Sequence, residues 1–189
     1  MYEKNIKKIL LVEDDEKNRI AALNYFSKRK DLQVEVAMDY NQAMKSLEKE
    51  KFDAAIIDLF MPQQIGNNDI SLGRKIVRKI AENVDWLGER YIETMEKAML
   101  DSPSNQPLGL EIAEKLKELR VLFTIATSTS HHDEIAGPIF PYAGDNGMFI
   151  QEIQDKSNPE CWERVYNNLM IINQIMNGPK LGILDTTTK

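Results

Sequence analysis

Two rhythms of hydrophobic positions alternate along this chain. The unbroken apolar runs Ile9-Leu10-Leu11-Val12 and Ala54-Ala55-Ile56-Ile57 are short and continuous, as strands covered on both faces of a parallel sheet must be. A less uniform run extends from Val121 to Ala126, Val34 and Val36 share one face of a short strand at 33–37, and Gly147-Met148-Phe149-Ile150 reads as the last strand. Between these runs apolar residues return every three or four positions. Such spacing predicts helices over 16–28 (Ile20, Leu23, Tyr25, Phe26), 41–50 (Ala43, Met44, Leu47), 110–119 (Ile112, Leu116, Leu119) and 158–177 (Trp162, Val165, Tyr166, Leu169, Ile172, Ile175). Asp39 is placed to cap the second of them.

Strands alternating with helices of this size describe an α/β chain. One stretch stands apart. Ile76, Ile80, Val84, Leu87, Tyr91 and Met95 form a single stripe at helical spacing, so one continuous helix is expected, closed by Asp101-Ser102-Pro103-Ser104-Asn105. That stripe would bury itself on the helix at 110–119 or, being self-complementary under two-fold symmetry, on a second copy, which leaves a homodimer open. Beyond Thr127, Ser130-His131-His132-Asp133-Glu134 would cap and begin a helix that Gly137-Pro138 and Pro141 hold to a turn or two. Residues 180–189 read as a flexible tail.

Acids stand where two of the buried runs surface: Glu13 and Asp14 after Val12, Asp58 after Ile57. In an open parallel sheet ligands bind outside the carboxyl ends of the strands, so these acids converge on one pocket. Convergent acids repel unless a cation joins them, and hard oxygen donors suit Mg2+ beside a phosphate oxygen. The chemistry indicated is phosphoryl transfer.

Composition narrows the setting. The 189 residues suffice for one domain with an elaboration, and a net charge of -6 excludes a general nucleic-acid surface, which needs clustered lysine and arginine. A lone Cys161 cannot close an intramolecular disulfide, the opening residues have no apolar signal segment behind them, and no run approaches a membrane span. A cytoplasmic protein without membrane contact is expected. His131 and His132 are neighbours, and adjacent helical side chains diverge by about 100 degrees, which favours capping and surface roles over a shared metal.

Three stretches together resemble the receiver domain of two-component response regulators: Lys8-Ile9-Leu10-Leu11-Val12-Glu13-Asp14-Asp15 with Arg19, Phe52-Asp53-Ala54-Ala55-Ile56-Ile57-Asp58-Leu59-Phe60-Met61-Pro62, and Val121-Leu122-Phe123-Thr124-Ile125-Ala126-Thr127-Ser128. The resemblance implies a doubly wound, flavodoxin-like sheet of five parallel strands in the order 2-1-3-4-5, within a single domain over 1–189. It also implies that residues 63–106 are a helical insertion, because receivers connect the counterparts of Asp58 and Thr127 in less than half the distance found here. Pro107-Leu108-Gly109-Leu110-Glu111 resembles the segment that normally follows Met-Pro.

For the site, the resemblance implies Asp58 as phosphoacceptor and Mg2+ held by Asp14, Asp58, the backbone carbonyl of Phe60, and Glu13 directly or through water. Thr127 would hydrogen-bond the phosphoryl group, and Phe149 is the candidate for the aromatic that rotates on switching, although a core role at a strand centre suits it too. The expected partners are a sensor histidine kinase or phosphotransfer protein and a downstream protein, with self-phosphorylation and no turnover of an external substrate. One departure is evident. Receivers place a lysine just past the fifth strand, whereas Phe149-Ile150 is followed by Gln151 and Glu152, a glutamate that would add charge to an acidic pocket, and Lys156 comes late. Lys156 either reaches back or is absent from the site, and the latter would make a pseudo-receiver that binds partners without phosphorylation. A Mg2+-dependent phosphatase with Asp58 as nucleophile is a weaker rival, since Leu59 to Pro62 offer no general acid.

Overall fold

The computed structural model describes residues 6–177, and the expected tail at 180–189 lies outside them. Five strands, β1 (Lys8–Val12), β2 (Gln33–Ala37), β3 (Ala54–Ile57), β4 (Leu122–Thr127) and β5 (Ile150–Glu152), form one parallel sheet in the order β2-β1-β3-β4-β5. The doubly wound order implied by the resemblance is therefore present. Period-two alternation divides each central strand between two cores. Leu10, Val12, Ala55, Ile57 and Ile125 face one layer, and Ile9, Leu11, Ala54, Ile56 and Ala126 face the other.

The second layer is built by α1 (Glu16–Phe26) and α7 (Pro159–Asn177), which pack on each other across Phe26, Val165, Tyr166 and Leu169. In α1 the helical stripe falls elsewhere than expected: Ala21, Ala22 and Phe26 are buried, while Ile20 is 52% exposed and Leu23 also faces solvent. Small residues take the inner face, where α1 packs against α7. On α7 the apolar face is likewise shorter than expected, with Ile175 77% exposed.

The opposite layer holds α2 (Tyr40–Lys49), α3 (Ser71–Asn83), α4 (Glu89–Asp101), α5 (Gly109–Glu118) and α6 (Ile139–Asp145). Asp39 caps α2 as expected, accepting the Gln42 N–H at 2.8 Å. The single long helix expected between the third strand and α5 is two helices, broken over Val84 to Gly88, and α3 and α4 pack against each other. A helical stripe cannot report such a break, because a hairpin that buries the same faces keeps the spacing on either side of it. Ile76, Ile80, Val84, Tyr91 and Met95 are all buried within the chain. Coverage by the chain itself removes the argument for a second copy on that stripe.

Two elements begin later than expected. Residues 130–138 form turns, and α6 starts only after Pro138, with Pro141 in its first turn, where the missing N–H has no helical partner to lose. The last strand is Ile150–Glu152 in place of 147–150. Gln151 hides it in the sequence: a buried polar residue breaks the apolar run, yet its amide donates to Thr124 Oγ1 and accepts from Asn168 Nδ2, both at 2.7 Å.

Candidate phosphoacceptor site

Each strand delivers its acid at the same edge of the sheet. The ladder continues one residue past the strands, with Asp58 N–H donating to the Val12 carbonyl (2.8 Å) and Glu13 N–H to that of Ala37 (3.1 Å). Arg19 reaches back from the first turn of α1 and donates to the carbonyls of Glu13 (3.2 Å) and Asp14 (2.7 Å), holding the turn that carries both acids. One oxygen from each of Glu13, Asp14 and Asp58 lies within 4.8 Å of the others.

Lys156 enters this cluster from the loop after β5. Its Nζ is 2.6 Å from Glu13 Oε2 and 2.7 Å from Asp58 Oδ2, and it donates to the Ala126 carbonyl at 3.2 Å. The late position is explained by the shift of the strand. Once β5 ends at Glu152, Lys156 is four residues past it, and a turn closed on Asp155, which accepts from the Ser157 N–H, brings it back. Glu152 does not load the pocket with charge as expected. It turns to the His131 backbone N–H (2.6 Å) and meets the ring Nδ1.

The cluster is unevenly solvated. Glu13 and Lys156 are buried, while Asp14 and Asp58 are partly open. Burial, reinforced by the Asp58 charge, pushes the Glu13 carboxyl up to about 8 against the pull of Lys156 and of Asn18 Nδ2, which donates to Oε1 at 3.2 Å. Asp14 is raised by the same two causes, opposed by a hydrogen bond from the Ser104 hydroxyl and by the Lys156 charge. For Lys156, burial alone would push the ammonium down, but Asp58 and Glu13 outweigh it and raise its pKa.

Among the residues singled out from the sequence, the structure thus brings Glu13, Asp14, Asp58 and Lys156 into contact. Phe60 lies two residues beyond Asp58 in the loop after β3. Thr127 is buried at the end of β4, its Oγ1 accepting the Thr129 N–H at 3.2 Å. Phe149 is neither at a strand centre nor in the core: it precedes β5 at the opposite edge of the sheet and is 52% exposed, beside Ile171 and Ile175. The early placement of the strand misassigned it.

Two contributors had no sequence signal. Ser104 comes from a 3-10 turn (Pro103–Asn105) after α4, and its neighbour Gln106 is fully buried, accepting from Gly73 N–H (3.2 Å) and donating to the carbonyls of Asp69 (3.1 Å) and Pro103 (3.0 Å). Met61 N–H donates to the Gln106 carbonyl at 3.0 Å, which ties this segment to the loop after Asp58. Gly109 then passes so close that a Cβ there would lie 2.2 Å from the Asp58 carbonyl oxygen. Only glycine fits.

Residues 9–85 match the family model of the response regulator receiver domain, a stretch that holds all three acids. Over that stretch the chain is similar to a response regulator receiver domain. Its fold is shared with a CheY-like receiver domain protein from Methanospirillum hungatei (TM-score 0.50, 14% identity, covering 90% of this chain and 98% of that one). It is shared equally with a signal receiver domain from Vibrio parahaemolyticus (TM-score 0.51, 14% identity, 90% and 95%). No curated protein matches the sequence. The match to the family model runs on through α3, and α4 and the 3-10 turn follow it before α5. Among the described residues no helix is long and apolar enough to cross a membrane.

Proposed function

We propose that this receiver accepts a phosphoryl group on Asp58 from a phosphohistidine of a sensor kinase or phosphotransfer protein, and that the phosphorylated form binds a downstream protein differently. The observation that carries the reading is the Lys156 ammonium in contact with both Glu13 and Asp58. This contact supports the phosphoacceptor reading over the pseudo-receiver alternative, which supposes a site without the lysine.

The donor set fits a hard divalent ion: carboxylates of Asp14 and Asp58 with the Phe60 carbonyl, all oxygen, and converging acids that call for positive charge. Glu13, buried and held by Lys156 and Asn18, suits a role at one remove, orienting the cation and the water around it. Mg2+ bound there would neutralise charge on the phosphoryl oxygens as it transfers. The chain does the rest. An Asp58 oxygen attacks phosphorus, the P–N bond to the donor imidazole breaks, its electron pair stays on that nitrogen, and a P–O bond forms. Lys156, released from the Asp58 carboxylate by this reaction, keeps its charge and pairs with a phosphoryl oxygen, and Thr127 supplies a hydroxyl from the end of β4. Movement of those two groups biases a two-state equilibrium of the adjoining loops. In this reading the 63–106 segment is an insertion in a single domain, the protein acts in the cytoplasm, and no external substrate is turned over.

Intact mass after incubation with acetyl phosphate and Mg2+, beside Asp58→Asn, tests the proposal. One phosphoryl adduct that the variant lacks is expected. No adduct at any Mg2+ concentration would leave a phosphorylation-independent interaction module, and steady turnover of a phosphate ester would favour a phosphatase.

A further inference from the structure

Lys156 sits in a loop, yet its ammonium must arrive between two acids to within a fraction of an ångström, so something must fix its backbone. On one side the Asp155 side chain closes a tight turn, accepting from Ser157 N–H at 3.0 Å and Ser157 Oγ at 2.5 Å. On the other, the carbonyl of Lys156 itself accepts the indole N–H of Trp162 at 2.7 Å, in the interior. Trp162 stands in the first turns of α7, 1% exposed, in the core layer shared with Ile9, Leu11 and Ile56 below the acid edge. An indole has one donor and no acceptor, so this bond has one direction and one partner. A ring locked by packing on α7 therefore holds the peptide from which the lysine side chain starts.

We infer that Trp162 is the positioning residue for Lys156: its indole N–H anchors the Lys156 carbonyl so that the ammonium spans Glu13 and Asp58. Such an anchor lets the cation come from a loop position well past the strand. Its consequence for phosphoryl transfer rests on the function proposed above, but the anchoring itself does not.

Trp162→Phe keeps an aromatic ring and removes the donor, and two readouts on the full chain separate anchoring from packing. The first is the 15N–1H signal of the Lys156 ammonium, assigned by its absence in Lys156→Ala. A buried, paired ammonium exchanges slowly, and the variant should shift the signal and speed its exchange at least tenfold; an unchanged signal in a folded variant overturns the inference whether or not Asp58 takes phosphate. The second is a double-mutant cycle on the rate of the acetyl phosphate adduct at saturating Mg2+. Misplacing a charge by about an ångström slows such a step roughly 10- to 100-fold, so Trp162→Phe should do so in the wild-type background and add nothing to Lys156→Ala. Equal slowing in both backgrounds overturns the inference. If wild type forms no adduct while the ammonium signal responds, the phosphoacceptor reading fails and the anchor stands. Should Trp162→Phe not fold, the benzothienyl isostere, with sulfur in place of N–H, takes its place in both measurements.

Discussion

Replacing Lys156 by methionine removes the only cation paired with the Glu13 carboxyl among the described residues, breaks its ion pair with Asp58, and leaves the two carboxyl groups facing each other. At an effective dielectric of about 20, a charge pair at such distances is worth about 6 kcal/mol before solvation is counted. Dehydrating the ions takes back several kcal/mol, and removing one partner of a buried pair costs about 3–5 kcal/mol net. The pH dependence follows from Glu13. Its folded pKa, raised from 4.5 to about 8, lies above its unfolded value, so the stability it contributes is present below 4.5 and is lost as pH rises toward 8. Lys156 restrains that rise in the native protein. Without it the Glu13 pKa climbs further and the loss runs on to higher pH, at up to about 1.4 kcal/mol per unit. Urea unfolding of wild type and Lys156→Met at pH 6 and pH 9 should show a deficit at both, larger at pH 9, with an unchanged m-value. A deficit below about 1 kcal/mol at both, or one that shrinks as pH rises, would refute the reasoning.

Three further outcomes are expected. Gly109→Ala forces a Cβ to 2.2 Å from a backbone oxygen, so it should cost about 1–3 kcal/mol and lower Tm by several degrees, and a Tm within one degree of wild type would contradict the close approach. Ser104→Ala removes the hydroxyl beside Asp14, and with the acids holding Mg2+ as proposed above, calorimetry should find its binding weakened about tenfold or more; equal affinities would deny Ser104 a part in it. Asp39→Ala loses the cap of α2 together with the bond its carboxylate accepts from Ile65 N–H (3.2 Å), for about 1–2 kcal/mol by urea unfolding, and an unaltered midpoint would count against it.

The sheet and its acid edge were legible because they obey one-dimensional rules. Ile9 to Val12 and Ala54 to Ile57 are buried on both faces and read as apolar runs, and the acids follow them directly. Ile20 and Leu23 misled because helical spacing identifies a stripe without saying which neighbouring stripe turns inward, and here Ala21 and Ala22 do. The last strand was misplaced because its central residue, Gln151, is polar and satisfied by partners 27 and 17 positions away. From that error came both the misplaced Phe149 and the apparent want of a lysine. The contacts of Lys156 depend on the path of a loop and on an indole six residues further along, and that of Ser104 on the packing of a helical hairpin. No spacing rule reaches across those separations.

Lys156 lies just before α7, the last helix among the described residues, whereas Glu13 and Asp14 follow the first strand. During synthesis the carboxylates leave the ribosome long before the ammonium that balances them. A nascent chain ending near residue 150 holds Asp58 but neither the cation nor the indole that anchors it. The acid cluster therefore gains its balancing cation only after Lys156 and Trp162 have been made and α7 docks.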